Sequence, residues 1–419
     1  VSNVAMGSDS LLANTTGNYN SALGNQVLYN NTTASYNTGL GQNALFTNTT
    51  GANNTATGYK AMFANTTGSY NVALGPNALD ANTTANGNTA IGNSAMGTNT
   101  TGANNVAVGN SALFANTTAA SNTAVGKSAM AANTTGSGTA IGYEALVTNT
   151  TGGDNVAVGI HALRYNTTGG SNTAIGQNSL DANTTASNNT AVGRHALGAN
   201  STGAGNVAVG KSALTANTTA SGNTSIGHNA LKTNTTGAAN VSSGENSMYA
   251  NTTGANNIAI GHSSLESNTT ASNNTAVGKS ALAANTTGET NNTAIGYYAL
   301  AANTTGDSNV AVGWNVLKAN TTGYYNNGIG RSAITANTTG VHNIALGSDA
   351  LMTNTTGGSN VAVGNYSLTA NTTGPDNTAM GFGALVTNTT GSRNTAIGYH
   401  ALRYNTTAIT LQMEQEIYV

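Results

Sequence analysis

The chain of 419 residues has no cysteine, so no disulfide framework can staple it. Proline occurs twice beside 53 glycines, which excludes a collagen-like or proline-rich chain. Charged residues make up 6% of the sequence, against about 25% in an ordinary soluble domain. The formal charge of -2 supplies no basic field for a phosphate backbone, so nucleic acid is excluded as a partner. No apolar run approaches the ~20 residues that a membrane-spanning helix needs. Aromatic residues are scarce at 5%, with Trp314 the single tryptophan. Low charge with few aromatics also describes disordered chains, but those lack a regular apolar pattern.

A regular pattern is what the sequence has. The triplet Asn-Thr-Thr recurs every 17 residues from Asn14, Asn31 and Asn48 to Asn405, and only Asn200-Ser201-Thr202 varies it. Numbered from this Asn, the repeat reads N-T-T-G-x-x-N-[TV]-A-[IV]-G-x-x-A-L-x-A. Position 11 is Gly in every copy, Gly109 and Gly176 among them, and position 15 is always large and apolar, as at Leu113 and Leu180. A fixed period of this kind marks an array of identical units stacked on one another. Seventeen residues are too few for a helical hairpin and carry no apolar stripe of helical spacing. The β-branched block between Asn at position 7 and Gly at position 11 predicts a short strand bounded by turn residues. One coil is shortened at Gly136-Ser137-Gly138-Thr139 and another lengthened at 288–292, which places a turn there.

Every Lys, Arg, His, Asp and Glu before residue 414 falls at position 5, 6, 12, 13 or 16. Those positions are therefore expected to face water. The fold class that follows is all-β: a β-solenoid, or parallel β-roll, of about 24 coils over residues 1–407, on the order of 115 Å long at ~4.8 Å per coil. Its core is expected to hold columns of Leu, of Ile or Val, and of Ala. Asn14, Asn31, Asn48 and Asn172 are expected in side-chain ladders, and the Asn and Gly corners in left-handed backbone. Residues 408–419 leave the repeat and alternate apolar with polar. They predict a strand that caps the last coil or contacts another subunit through Ile409, Leu411, Met413, Ile417 and Val419.

The blocks Asn172-Thr173-Ala174-Ile175-Gly176 and Asn105-Val106-Ala107-Val108-Gly109 resemble the head repeats of trimeric autotransporter adhesins. The Asn-Thr-Thr-Gly extension is similar to longer repeats of bacterial surface and phage tail-fibre proteins. The resemblance implies a left-handed β-roll, side-by-side trimerisation and an extracellular or cell-surface location.

Columns of like residues do not converge as a catalytic cleft must, so the chain is read as no enzyme, with no cofactor and no metal. His161 and His195 share a column but stand about 10 Å apart by the strand spacing. Lys127 with Glu144, Arg164 with Asp181, and Arg331 with Asp349 are expected to pair across adjacent coils. The function expected is a structural extracellular fibre or adhesin-type shaft whose partner is itself, as a trimer or an end-to-end filament. The alternative is a surface protein recognising host or environmental glycans through Tyr297, Tyr298, Trp314, Tyr324 and Tyr325, or ice through ranks of Thr. The Asn-Thr-Thr triplet is also an N-glycosylation sequon.

Overall fold

The computed structural model describes residues 2–288 and 291–406, so the expected C-terminal strand lies outside the described residues. The chain divides into two compact units, Val1–Ser212 and Ala213–Val419, and the division falls inside the repeat array. Each unit is built alike. The first carries the strands from Val4–Met6 to Val207–Val209 and the second those from Thr224–Ile226 to Thr395–Ile397. Within a unit, each strand pairs in parallel with its neighbours one coil away, like position on like position. Thr89 faces Val106, Ala90 faces Ala107 and Ile91 faces Val108. No helix occurs among the described residues. The protein is an all-β, parallel β-solenoid with a 17-residue coil, as the periodicity predicts.

The strand is only three residues long in most coils, and its direction decides the core. Side chains alternate across a strand, so an inward residue 9 forces residues 8 and 10 outward. Ala107 and Ala174 point in and are fully buried, as are Ala112, Leu113 and Leu180. Ile175 points out and is 41% exposed. The expected inner column of Ile and Val at position 10 is thus on the outside. The core holds two columns of Ala, one of Leu, and two of Asn. A packed interior column meets copies of itself and tolerates one volume, which the near-constant Ala at position 9 satisfies.

Both Asn columns are buried ladders. At position 1, the Asn48 amide donates to Asn31 Oδ1 at 3.0 Å and to the Gly51 carbonyl at 2.9 Å. At position 7, the Asn54 backbone N–H donates to Asn37 Oδ1 at 2.9 Å, while its own amide donates to the Gly68 carbonyl at 2.8 Å. The Gly68 carbonyl also accepts from Asn65 at 2.9 Å. The carbonyl at position 4 therefore ties both ladders together. Asn31, Asn48 and Asn172 are fully buried, whereas Asn14 is half-buried. Each buried amide left without partners would cost roughly 1–3 kcal/mol, so the ladder tolerates few interruptions. Gly138 interrupts it, and there Asn122 Oδ1 accepts the Gly138 N–H at 2.8 Å.

Gly at position 11 has the positive φ expected of it, but the other left-handed corners do not fall at the ladder Asn residues. In the coil that starts at Asn99, positive φ occurs at Asn104 (58°), Ser111 (55°) and Leu113 (53°), at positions 6, 13 and 15. The ladder residues Asn99 and Asn105 are not among them. Their amides serve the neighbouring coils instead of relieving a tight turn. Leu at position 15 accepts a backbone that costs an L-residue about 1–2 kcal/mol, because the bend aims its side chain into the core. Gly109 has φ 135°, and a Cβ there would come within 2.5 Å of the Gly126 carbonyl oxygen. Gly176 is held alike, with φ 131° and the Gly193 carbonyl carbon at 2.7 Å. Positive φ, with that contact wherever a described coil follows, accounts for Gly at position 11.

Candidate interaction surface

The outward residues of the strands make two parallel columns along each unit. Column 8 holds mostly Thr and Val; column 10 holds mostly Ile, Val and Leu. Neither contains a charged residue. Val72, Leu74, Val106, Ile141 and Ile175 of the first unit are exposed, as are Ile226, Ile258, Ile260, Ile295, Ile329 and Leu346 of the second. The buried backbone of position 9 forms a furrow between the columns. Near Gly39 the furrow widens to an apolar hollow of about 330 Å³, lined by Val4, Met6, Leu23 and Leu40 and floored by Ala22 and Gly39. With thirteen strands at ~4.8 Å and two outward residues ~7 Å apart, the stripe on the first unit covers on the order of 400 Å². Nine of its 26 outward residues are Thr or Ser, so its apolar part is on the order of 300 Å², at the lower end of the biggest apolar patch a soluble monomer ordinarily leaves bare. From sequence, position 8 reads as surface only as a rank for ice, and position 10 reads as core, because β-branched residues signal a strand without signalling which face is wet.

The aromatic residues gather on other faces. Tyr297 and Tyr298 contact edge to face at 4.4 Å, and Lys318 Nζ stands 5.3 Å from the Tyr298 ring centroid. Tyr297 is exposed and Tyr298 half-buried. Trp314 is exposed on the coil between this pair and Tyr324. Tyr324 and Tyr325 meet edge to face at 5.5 Å, and both contact His342 of the next coil. His342 therefore joins Tyr324 and Tyr325, although it is not among the aromatic residues expected at this surface. Its position in column 6, one repeat after Tyr325, is the signal that would have found it.

Charged side chains sit at the expected five positions, but not all with the expected partners. Arg331 binds Asp349 at 2.6 Å, and Asp349 is buried by the contact. Arg164 reaches back to Glu144 at 2.8 Å instead of forward to Asp181, and His161 lies 3.5 Å from the same carboxylate. Lys127 rests 5.9 Å from the Tyr143 ring centroid rather than on Glu144. Asp80 and Asp181, both at position 16, each keep one carboxylate oxygen buried without a hydrogen bond. Burial pushes both carboxyls above the usual carboxylate range, with Lys60 and Arg164 respectively pulling the other way.

The Asn-Thr-Thr triplet divides its roles. The first Thr is half-buried and its hydroxyl donates to the next coil, as from Thr100 to the Thr117 carbonyl at 3.0 Å. The second, such as Thr101, is exposed and forms one column per coil. The Asn is the buried ladder residue, and both amide hydrogens of Asn48 are already donated. A sugar on that nitrogen would require the coil to open. No protein-family profile matches this chain, and no curated protein matches it either.

Proposed function

We propose that the chain is a structural shaft of an extracellular fibre, a non-enzymatic β-solenoid that packs side by side with other copies of itself. The observation that carries this reading is the pair of outward, charge-free columns at positions 8 and 10, while every charge near them is confined to the other faces. Burying apolar surface stabilises association by roughly 25 cal/mol per Å², so a stripe of this size supplies a lateral driving force repeated at every coil. A stable interface takes about 800 Å² from each partner, of which the stripe of the first unit supplies on the order of half. The like-on-like register supports a fibre role as well, because each coil presents the same contact to a neighbour. The resemblance of Asn105–Gly109 and Asn172–Gly176 to adhesin head repeats points the same way.

Sedimentation of the whole chain tests the reading. Wild type is expected to run as a discrete oligomer at micromolar concentration. The triple variant Ile175→Lys, Ile260→Lys, Ile295→Lys is expected to run as a monomer with its strand content unchanged. A wild-type monomer at all concentrations would sink the proposal.

A further inference from the structure

The coils around Tyr325 depart from the repeat at several positions. Within one and a half repeats they hold the single Trp of the chain at Trp314, the adjacent tyrosines Tyr324 and Tyr325, the one Asn of column 8 at Asn327, and Ile334 in a column of Leu and Met. The tyrosines lie at positions 5 and 6, outside the lateral stripe. Their arrangement is ordered. Tyr325 stacks on His342 with centroids 5.2 Å apart and planes 16° from parallel, while Tyr324 stands nearly perpendicular to both rings. The turn is pinned by the Tyr325 N–H, which donates to the Asp307 carbonyl at 3.1 Å, and by the His342 N–H, which donates to the Tyr324 carbonyl at 3.1 Å.

His342 covers one face of Tyr325. Tyr325 nonetheless stays 50% exposed, and column 6 of the preceding coil holds only the small Ser308. Asp307 stands in that same preceding coil, in the column of Tyr324, with no ion-pair partner among the described residues. An aromatic face at a fixed angle beside an unpaired carboxylate matches the two needs of a sugar: an apolar ring face to stack, and hydroxyls that donate. A carboxylate on the adjacent coil disfavours anionic ligands. We infer that Tyr325, with Tyr324, His342 and Asp307, forms a subsite that stacks one neutral pyranose ring of a saccharide. This subsite does not depend on lateral assembly.

Isothermal titration of the full chain tests it, using neutral hexasaccharides of β-1,4-glucose, α-1,4-glucose and β-1,4-N-acetylglucosamine as probes. At least one is expected to bind with a millimolar or tighter Kd. Tyr325→Ala should weaken that binding about tenfold, and Tyr325→Phe should stay within about threefold, since the stacking face is retained. Tyr324→Ala should weaken it as well, while Tyr297→Ala should leave it unchanged. Binding of none of the three probes below about 10 mM would overturn the inference. So would equal binding by wild type and a Tyr325→Ala variant whose thermal unfolding matches wild type.

Discussion

Two coils exchange volume between columns, and the exchange makes a quantitative test of the packing. Position 14 is Ala or Ser except at Val27 and Val316, and position 9 is Ala or Ser except at Gly39 and Gly328. Each Gly lies one coil after its Val. A Cβ on Gly328 would approach Val316 Cγ1 to 2.5 Å, and Val316 is fully buried. Adding that methyl alone overpacks a closed core, at a cost of about 1–3 kcal/mol. Loss of glycine flexibility in the unfolded chain returns only about 0.4–1 kcal/mol. Gly328→Ala should therefore destabilise by roughly 1–2 kcal/mol. Val316→Ala alone removes two buried methyl groups and leaves a cavity, a loss of about 1–3 kcal/mol. Together the two changes restore the Ala–Ala pair found at Ala95 and Ala107, so the double variant should be more stable than either single one. The interaction energy should be about 2 kcal/mol in magnitude.

Hydrogen exchange of amides in the coils 303–336 is the suitable assay, because repeat arrays open locally and a single global midpoint averages over coils. Val27 and Gly39 provide the same cycle in the first unit, where Gly39 also meets a Val27 methyl. Additive effects, with an interaction energy below about 0.5 kcal/mol, would refute the packing account.

Asn48→Ala removes two donated hydrogen bonds and the one that Asn48 Oδ1 accepts from Asn65; it strands Asn31 Oδ1 and one Asn65 N–H, while the Gly51 carbonyl keeps its bond from Asn37, so it should cost about 2–4 kcal/mol and raise exchange chiefly in the adjoining coils. Ile334 places a β-branched side chain at φ 49°, and Ile334→Leu should stabilise its coil by about 1 kcal/mol, read as slower amide exchange there. Asp80 has a folded carboxyl pKa above its unfolded value of about 3.9, so its stabilising contribution is complete below that value and is lost as pH rises through the folded pKa. Asp80→Asn should accordingly stabilise at pH 7 and confer no advantage at pH 3; equal effects in urea unfolding at both values would contradict the burial account.

The period, the ladders and the fixed Gly of position 11 were legible because each depends on a residue meeting its own copy one coil away. Asn48 can only be so strictly repeated if its neighbours are Asn31 and Asn65. The direction of the strand was harder to see. Ile175 and Ala174 both suit a core by composition, and only the alternation about an inward Ala174 shows that Ile175 must be outside. The left-handed bends hid for a related reason. Leu113 is a poor residue for φ 53° on local grounds, and burial in the Leu column overrides that preference. Arg164 was paired by column with Asp181, yet the length of its side chain lets it reach Glu144, leaving the shorter Asp181 carboxylate tucked against the coil.

The absence of cysteine allows the central claim to be probed directly, since any thiol introduced is the only one in the molecule. Single variants Thr173→Cys, Ala174→Cys and Ile175→Cys would be reacted with a maleimide, first in the wild-type background and then in one carrying Ile260→Lys and Ile295→Lys. Cys at 174 is expected to resist labelling in both backgrounds, and Cys at 173 and 175 to resist it in the assembled protein but react rapidly once the lysines disperse the copies. Free labelling at 175 in both backgrounds would contradict lateral packing through the stripe, and faster labelling at 174 than at 175 would contradict the orientation of the strand itself.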